Sequence, residues 1–286
     1  MDDVSRGGLV LDVTDVGERP DDPDQPVVLC LHGFPQDGSA FDAVAAALAA
    51  RGVRVLVPDQ RGYSPRARPA GRRPYALAEL VADAVALLDA AGVRRAHVVG
   101  HDWGGVVAWA LAARHPGRVA SLTALSQAHP AAMARAARRP DQARRSWYVA
   151  ALQVPWLPER LLLRDDGRAL RRTLVRTGLP QGRADGYARR AAEPGRLTAA
   201  VGWYRALPFA RAVGPVDVPV TYLHGRRDPF YAAAAVEGTA AHVRGPYVHR
   251  TLETGHWVPE PEPGAVVDAV LEHVAAATAG GGAGTA

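Results

Sequence analysis

The 286-residue chain contains no lysine, no asparagine and no isoleucine. These three residues share AT-rich codons, while Ala, Arg, Gly, Pro and Val abound, so the pattern reads as the bias of a GC-rich genome. All 34 basic residues are therefore arginine; with 29 acidic residues they give a charge of +5 and a pI near 9.8. A high pI of that origin is weak reason to expect a polyanionic partner. Cysteine is nearly absent as well. A single cysteine, Cys30, excludes an internal disulfide framework and a cysteine-rich metal site. Within Val27-Val28-Leu29-Cys30-Leu31 it reads as a small core residue. No apolar run approaches the roughly 20 residues that span a bilayer. Met1-Asp2-Asp3 lacks the basic-then-apolar pattern of a signal peptide. The expectation is a cytoplasmic protein, monomer or homodimer, with neither membrane nor nucleic acid as partner. No CxxC, Walker or dinucleotide motif is present, so neither a metal nor an organic cofactor is expected.

What is present is enough apolar residue (48%) to build a core. Short β-type runs (Leu9 to Val13, Val27 to Leu31, Val53 to Val57, Ala96 to Gly100, Val119 to Leu125, Val218 to His224, Tyr247 to Leu252) alternate with amphipathic helical ones. That alternation predicts an α/β fold, a mostly parallel sheet flanked by helices. The rhythm breaks from Ala131 to Pro215. There no strand is evident, and 17 Arg stand against 6 acidic residues, a net +11 that leaves the remainder at −6. Most of these arginines read as solvated helix faces. The segment itself reads as a helical cap (131–215) inserted into one discontinuous core domain (1–130 and 216–277). Residues 278–286, only Gly, Ala and Thr, are expected to be a disordered tail.

The chemistry concentrates where Ala96 to Gly100 runs into His101-Asp102-Trp103-Gly104-Gly105. Small residues on either side let a strand turn sharply into a helix and lift the central side chain clear of the sheet. That side chain is Asp102 where serine is usual. A carboxylate attacks alkyl carbon bearing a leaving group and forms an ester. His32-Gly33-Phe34-Pro35 follows an earlier strand, and the amides of Phe34 and Trp103 are expected to form an oxyanion hole. Asp59-Gln60-Arg61-Gly62-Tyr63-Ser64 reads as a structural loop. Asp228, just beyond a strand end, and His256, flanked by Gly255, complete the order nucleophile, acid, base of α/β-hydrolases.

These motifs together, His32-Gly33-Phe34-Pro35, Asp59 to Ser64, Gly100 to Gly105 and Gly255-His256-Trp257, resemble the α/β-hydrolase-fold epoxide hydrolases, over about Gly8 to Val274. The resemblance implies two cap tyrosines that hydrogen-bond the epoxide oxygen. Ser146-Trp147-Tyr148 with Gln153-Val154-Pro155 maps the first to Tyr148; Gly202-Trp203-Tyr204-Arg205 maps the second to Tyr204. It implies hydrolysis of a small-molecule epoxide by water to a vicinal diol, through an alkyl-enzyme ester on Asp102. Trp147, Leu152, Trp156 and Trp203 are the expected pocket residues. Haloalkane and haloacid dehalogenases share the triad; there Trp147 or Trp156 would supply a halide donor. A non-catalytic ligand receptor of the same fold is the alternative from another class.

Overall fold

The computed structural model describes residues 1–18 and 26–281. Gly7 and Gly8 both take positive φ (57° and 80°), the backbone of a two-residue hairpin turn. They join β1 (Asp3–Arg6) to β2 (Leu9–Val16), antiparallel, with Arg6 opposite Leu9. The pattern in the chain predicts only part of this hairpin, because β1 is short and buries just Val4. Next come β3 (Val27–Leu31), β4 (Arg54–Pro58), β5 (Ala96–His101), β6 (Val119–Leu125), β7 (Val220–Gly225) and β8 (Tyr247–Leu252). The sheet order is β1-β2-β4-β3-β5-β6-β7-β8, antiparallel up to β4 and parallel thereafter.

Strands β3, β4 and β5 are buried at every position, because helices cover both faces of the sheet. Alternation still sorts their side chains. Val28, Cys30, Val55 and Val99 pack with α1 (Asp42–Ala49) and the last helix, while Leu29, Leu31, Leu56 and Val98 pack with α2 (Leu77–Ala90) and α3 (Trp103–Arg114). Burial pushes the Cys30 thiol up, as befits an inert core residue.

The connection from β6 to β7 carries α4 (Pro130–Ala136), α5 (Pro140–Arg145), α6 (Trp147–Ala151), α7 (Leu157–Arg176), α8 (Gln181–Ala191) and α9 (Arg196–Arg205). Helix α7 is broken at Arg164–Gly167, where Asp165, Asp166 and Gly167 are left-handed. The cap has a small core of its own, Leu170, Leu174, Leu179 and Tyr187, into which the core residue Trp257 is inserted. The Trp257 indole donates to Thr177 Oγ1 at 3.1 Å. Most cap arginines are exposed, but three are docked on core carboxylates. Arg196 Nη2 lies 2.6 Å from Asp37 Oδ2 with both side chains buried, Arg190 binds the same carboxylate, and Arg183 binds Glu260.

After α10 (Ala233–Gly238), α11 (Pro263–Gly281) covers the sheet with Val266, Val267 and Val270. This corrects the expected start of the tail. Alanine is the best helix former, and Thr278 lies in the helix with its hydroxyl on the Val274 carbonyl at 3.0 Å. Residues 282–286 lie outside the described residues.

Candidate active site

Asp102 alone makes the turn from β5 into α3, at φ 50° and ψ −121°. Such a backbone costs about 1–3 kcal/mol and persists only where its surroundings enforce it. Two glycines do so by allowing close approach: a Cβ on Gly104 would lie 2.0 Å from the Leu31 carbonyl oxygen, and one on Gly33 2.4 Å from Asp102 Cβ. The Phe34 amide donates to Asp102 Oδ1 at 2.8 Å, and Asp102 Oδ2 lies 3.6 Å from His256 Nε2. Burial works to raise the Asp102 carboxyl, but His256 and the Phe34 amide hold it below the ordinary carboxylate range. The Asp102 side chain is therefore ionised at neutral pH.

Asp228 sits three residues past β7. It accepts from the Phe230 amide and from His256 Nδ1, each at 2.8 Å. This fixes the imidazole with Nε2 toward Asp102. Burial opposes a charge on His256, yet the carboxylates of Asp228 and Asp102 outweigh it and push its pKa to about 10. The loop is held from behind as well. His101 Nε2 lies 2.9 Å from the His256 carbonyl oxygen, and its Nδ1 lies 2.8 Å from Gln36 Oε1. The Gln36 side chain donates to Glu260 at 2.6 Å, and Glu260 also binds Arg183 of the cap.

Tyr148 on α6 and Tyr204 on α9 meet edge to face, ring centroids 6.1 Å apart. Tyr204 packs on Phe34 (5.2 Å) and Trp103 (5.0 Å), Tyr148 on Phe230 (5.6 Å). Burial, and then the Asp102 charge, raises the Tyr148 phenol, so it stays a donor at neutral pH. Tyr204 is raised by burial, by Tyr148 and by Asp102. The two helices are lashed together: Gln153 Nε2 donates to the Tyr204 carbonyl at 2.9 Å, and Arg205 donates to the Leu152 carbonyl at 3.0 Å while pairing with Glu159. Asp102, His256, Tyr148, Tyr204 and the Phe34 side chain all line one cavity of about 620 Å³.

A family model described as alpha/beta hydrolase fold matches residues 26–263. The chain belongs to that family. It is 33% identical to epoxide hydrolase A of Mycobacterium tuberculosis, over 94% of this chain and 95% of that protein. It is 31% identical to the AB hydrolase superfamily protein YfhM of Bacillus subtilis, over 95% and 96%. Among solved structures, epoxide hydrolase A from Mycobacterium thermoresistibile aligns with a TM-score of 0.80 at 27% identity, covering 95% of this chain and 96% of that one. An epoxide hydrolase from Bacillus megaterium shares the fold, at a TM-score of 0.83 and 22% identity, over 95% and 99%.

This α/β hydrolase brings together Asp102, Asp228, His256, Tyr148, Tyr204 and Phe34, with Trp103 opening α3 directly after Asp102. Leu152 lines the catalytic cavity and Trp147 stands at its edge, largely exposed. Two expected pocket residues are misplaced. Trp156 is 67% exposed and does not line the cavity, because it sits at φ 54° on the turn before α7. Trp203 is buried with its indole on the Arg61 carbonyl at 2.8 Å; it lines a second cavity, of about 650 Å³, shared with Trp103. Phe230 and Tyr231 escape the sequence reading. The Phe230 ring lies 4.7 Å from that of His256, and Tyr231 stacks on His256 at 6.3 Å with its hydroxyl on Gln127. Their one signal is position, immediately after Asp228-Pro229.

Proposed function

We propose that the protein hydrolyses epoxides to vicinal diols through an ester on Asp102. The observation that carries this is the tyrosine pair: two phenol donors line the same cavity as an ionised carboxylate backed by a buried Asp–His pair. Relatives named epoxide hydrolase are in accord with it. Asp102 Oδ1 is held by the Phe34 amide, which leaves Oδ2 to attack a ring carbon. The carbon–oxygen bond of the ring breaks, and the departing oxygen takes hydrogen bonds and then a proton from the Tyr148 and Tyr204 side of the cavity. The resting His256 imidazolium replenishes that proton. Once neutral, His256 takes a proton from water, which attacks the ester carbonyl. The resulting oxyanion on Oδ1 takes the Phe34 amide hydrogen bond, with the Trp103 amide as its expected second donor. Collapse expels the ester oxygen as an alkoxide that takes the hydroxyl proton left on the carboxyl, so the diol leaves with Asp102 ionised and His256 an imidazolium.

Dehalogenation with the same triad needs N–H donors facing the halide. Phe34 offers no side-chain donor at the position after His32-Gly33 and Trp156 stands off the cavity, which leaves Trp147, largely exposed at the cavity edge, as the cap indole for that reading. The decisive test is His256→Gln, which keeps Asp102 and both tyrosines for ring opening, slowed by loss of the imidazolium proton, and removes the base that ester hydrolysis needs. Intact-protein mass spectrometry then shows a stable adduct on Asp102. Absence of the adduct with every epoxide the wild type turns over sinks the mechanism; halide release faster than epoxide turnover replaces it with the dehalogenase reading.

A further inference from the structure

Two of the six tryptophans stand in water on the cap: Trp147 is 69% exposed and Trp156 67%. Val154, Leu157 and Leu161 are exposed beside them. Trp147, Val154, Leu157 and Leu161 also line the catalytic cavity, so this apolar patch forms the rim of its mouth. A bulky residue at φ 54° is an unfavourable backbone, and at Trp156 it buys no burial within the protein.

Positive charge lies beside the patch. Arg144, Arg145 and Arg176 line the same cavity, and among the described residues that line it Asp102 is the one acid. From Arg138 to Arg176 there are ten arginines and four acidic residues, of which Glu159 is bound by Arg205.

We infer that this rim docks on an anionic lipid bilayer, so that the cavity mouth faces the membrane and takes up an apolar epoxide dissolved there. The docking stands on the patch and its charge; the substrate clause rests on the proposed epoxide chemistry. Tryptophan concentrates at the boundary between headgroups and acyl chains. Exposed leucine and valine gain by shallow insertion, and each arginine near an anionic leaflet adds attraction. A second copy of the chain fits less well, since a two-fold contact lays the same arginine-rich patch against itself. Nucleic acid satisfies the arginines and leaves the aliphatic side chains without a partner. Among the described residues no helix is long and apolar enough to cross a membrane, and docking on its surface needs none.

The test is co-sedimentation of the full chain with vesicles of phosphatidylcholine alone or mixed with phosphatidylglycerol. The expected result is binding to the mixed vesicles on the order of tenfold or more above the neutral ones, lost as salt screens the charges. Trp156→Ser and the double variant Arg160→Glu, Arg164→Glu each lower it by about tenfold or more, with circular dichroism unchanged. Equal binding to both vesicles at low salt overturns the inference, as does normal binding by both variants. A concentration-dependent dimer that Trp156→Ser abolishes assigns the patch to a second copy and overturns it equally. Turnover of a small water-soluble epoxide without vesicles tests the chemistry separately, so failure of the docking and failure of the epoxide reading are told apart.

Discussion

Neutralising Asp102 turns His256 from an acid into a base, and the size of the change follows from one distance. Asp102 Oδ2 lies 3.6 Å from His256 Nε2. At an effective dielectric of about 20, a unit charge pair at that separation is worth roughly 4–5 kcal/mol, or about 3 pH units. The anion stabilises the imidazolium, so removing it lowers the pKa, from about 10 in the resting site to roughly 7. Asp102→Asn makes this change without altering shape, and it mimics the neutral ester. Labelled-histidine NMR titrations of wild type and variant read it directly. A shift below about one unit, or a wild-type His256 that titrates at or under the ordinary histidine value near 6.5, refutes the reasoning. The kinetic counterpart is a split between steps. In single turnovers, ester hydrolysis needs neutral His256 and rises with pH through roughly 7, while alkylation stays level there because Asp102 remains ionised.

Replacing both Tyr148 and Tyr204 by Phe removes the donors to the ring oxygen; turnover falls by on the order of 10²-fold or more, and near-normal kcat/KM on the preferred epoxide refutes their assignment. Asp37→Ala takes from the buried Arg196 its buried partner and leaves it only the half-exposed Glu193, which costs up to about 3–5 kcal/mol. Differential scanning calorimetry then shows Tm lowered by on the order of 10 °C, and an unchanged Tm means that this pair does not hold the cap.

Asp102, Asp228 and His256 were legible because each follows a strand end, Asp102 has glycines two residues away on either side and His256 follows Gly255: the turn geometry leaves its mark in the local sequence. Asp102, Asp228 and His256 accordingly come together as their spacing suggests. The two tyrosines carry local motifs too, and Gln153 and Arg205 give those motifs a physical meaning, since they bind the two helices to each other. Side-chain direction within the cap is another matter. Trp156 and Trp203 sit in equally apolar surroundings in the sequence, yet one ends in solvent and the other behind Trp103, because a left-handed turn and the burial of α9 decide it. Nor does sequence distinguish the three docked arginines from the solvated ones. Their partners, Asp37 and Glu260, are more than seventy residues away in the chain.

Trp257 makes the cap a support of the His256 loop as well as a cover for the cavity. The residue that follows His256 is rooted among Leu170, Leu174 and Tyr187 and anchored on Thr177. A cap exchanged for that of a relative to change substrate therefore has to bring a matching socket, or the loop of His256 loses its footing. Cap and His256 loop are mechanically one block, so a graft of a foreign cap has to be fitted at Trp257 as well as at the pocket.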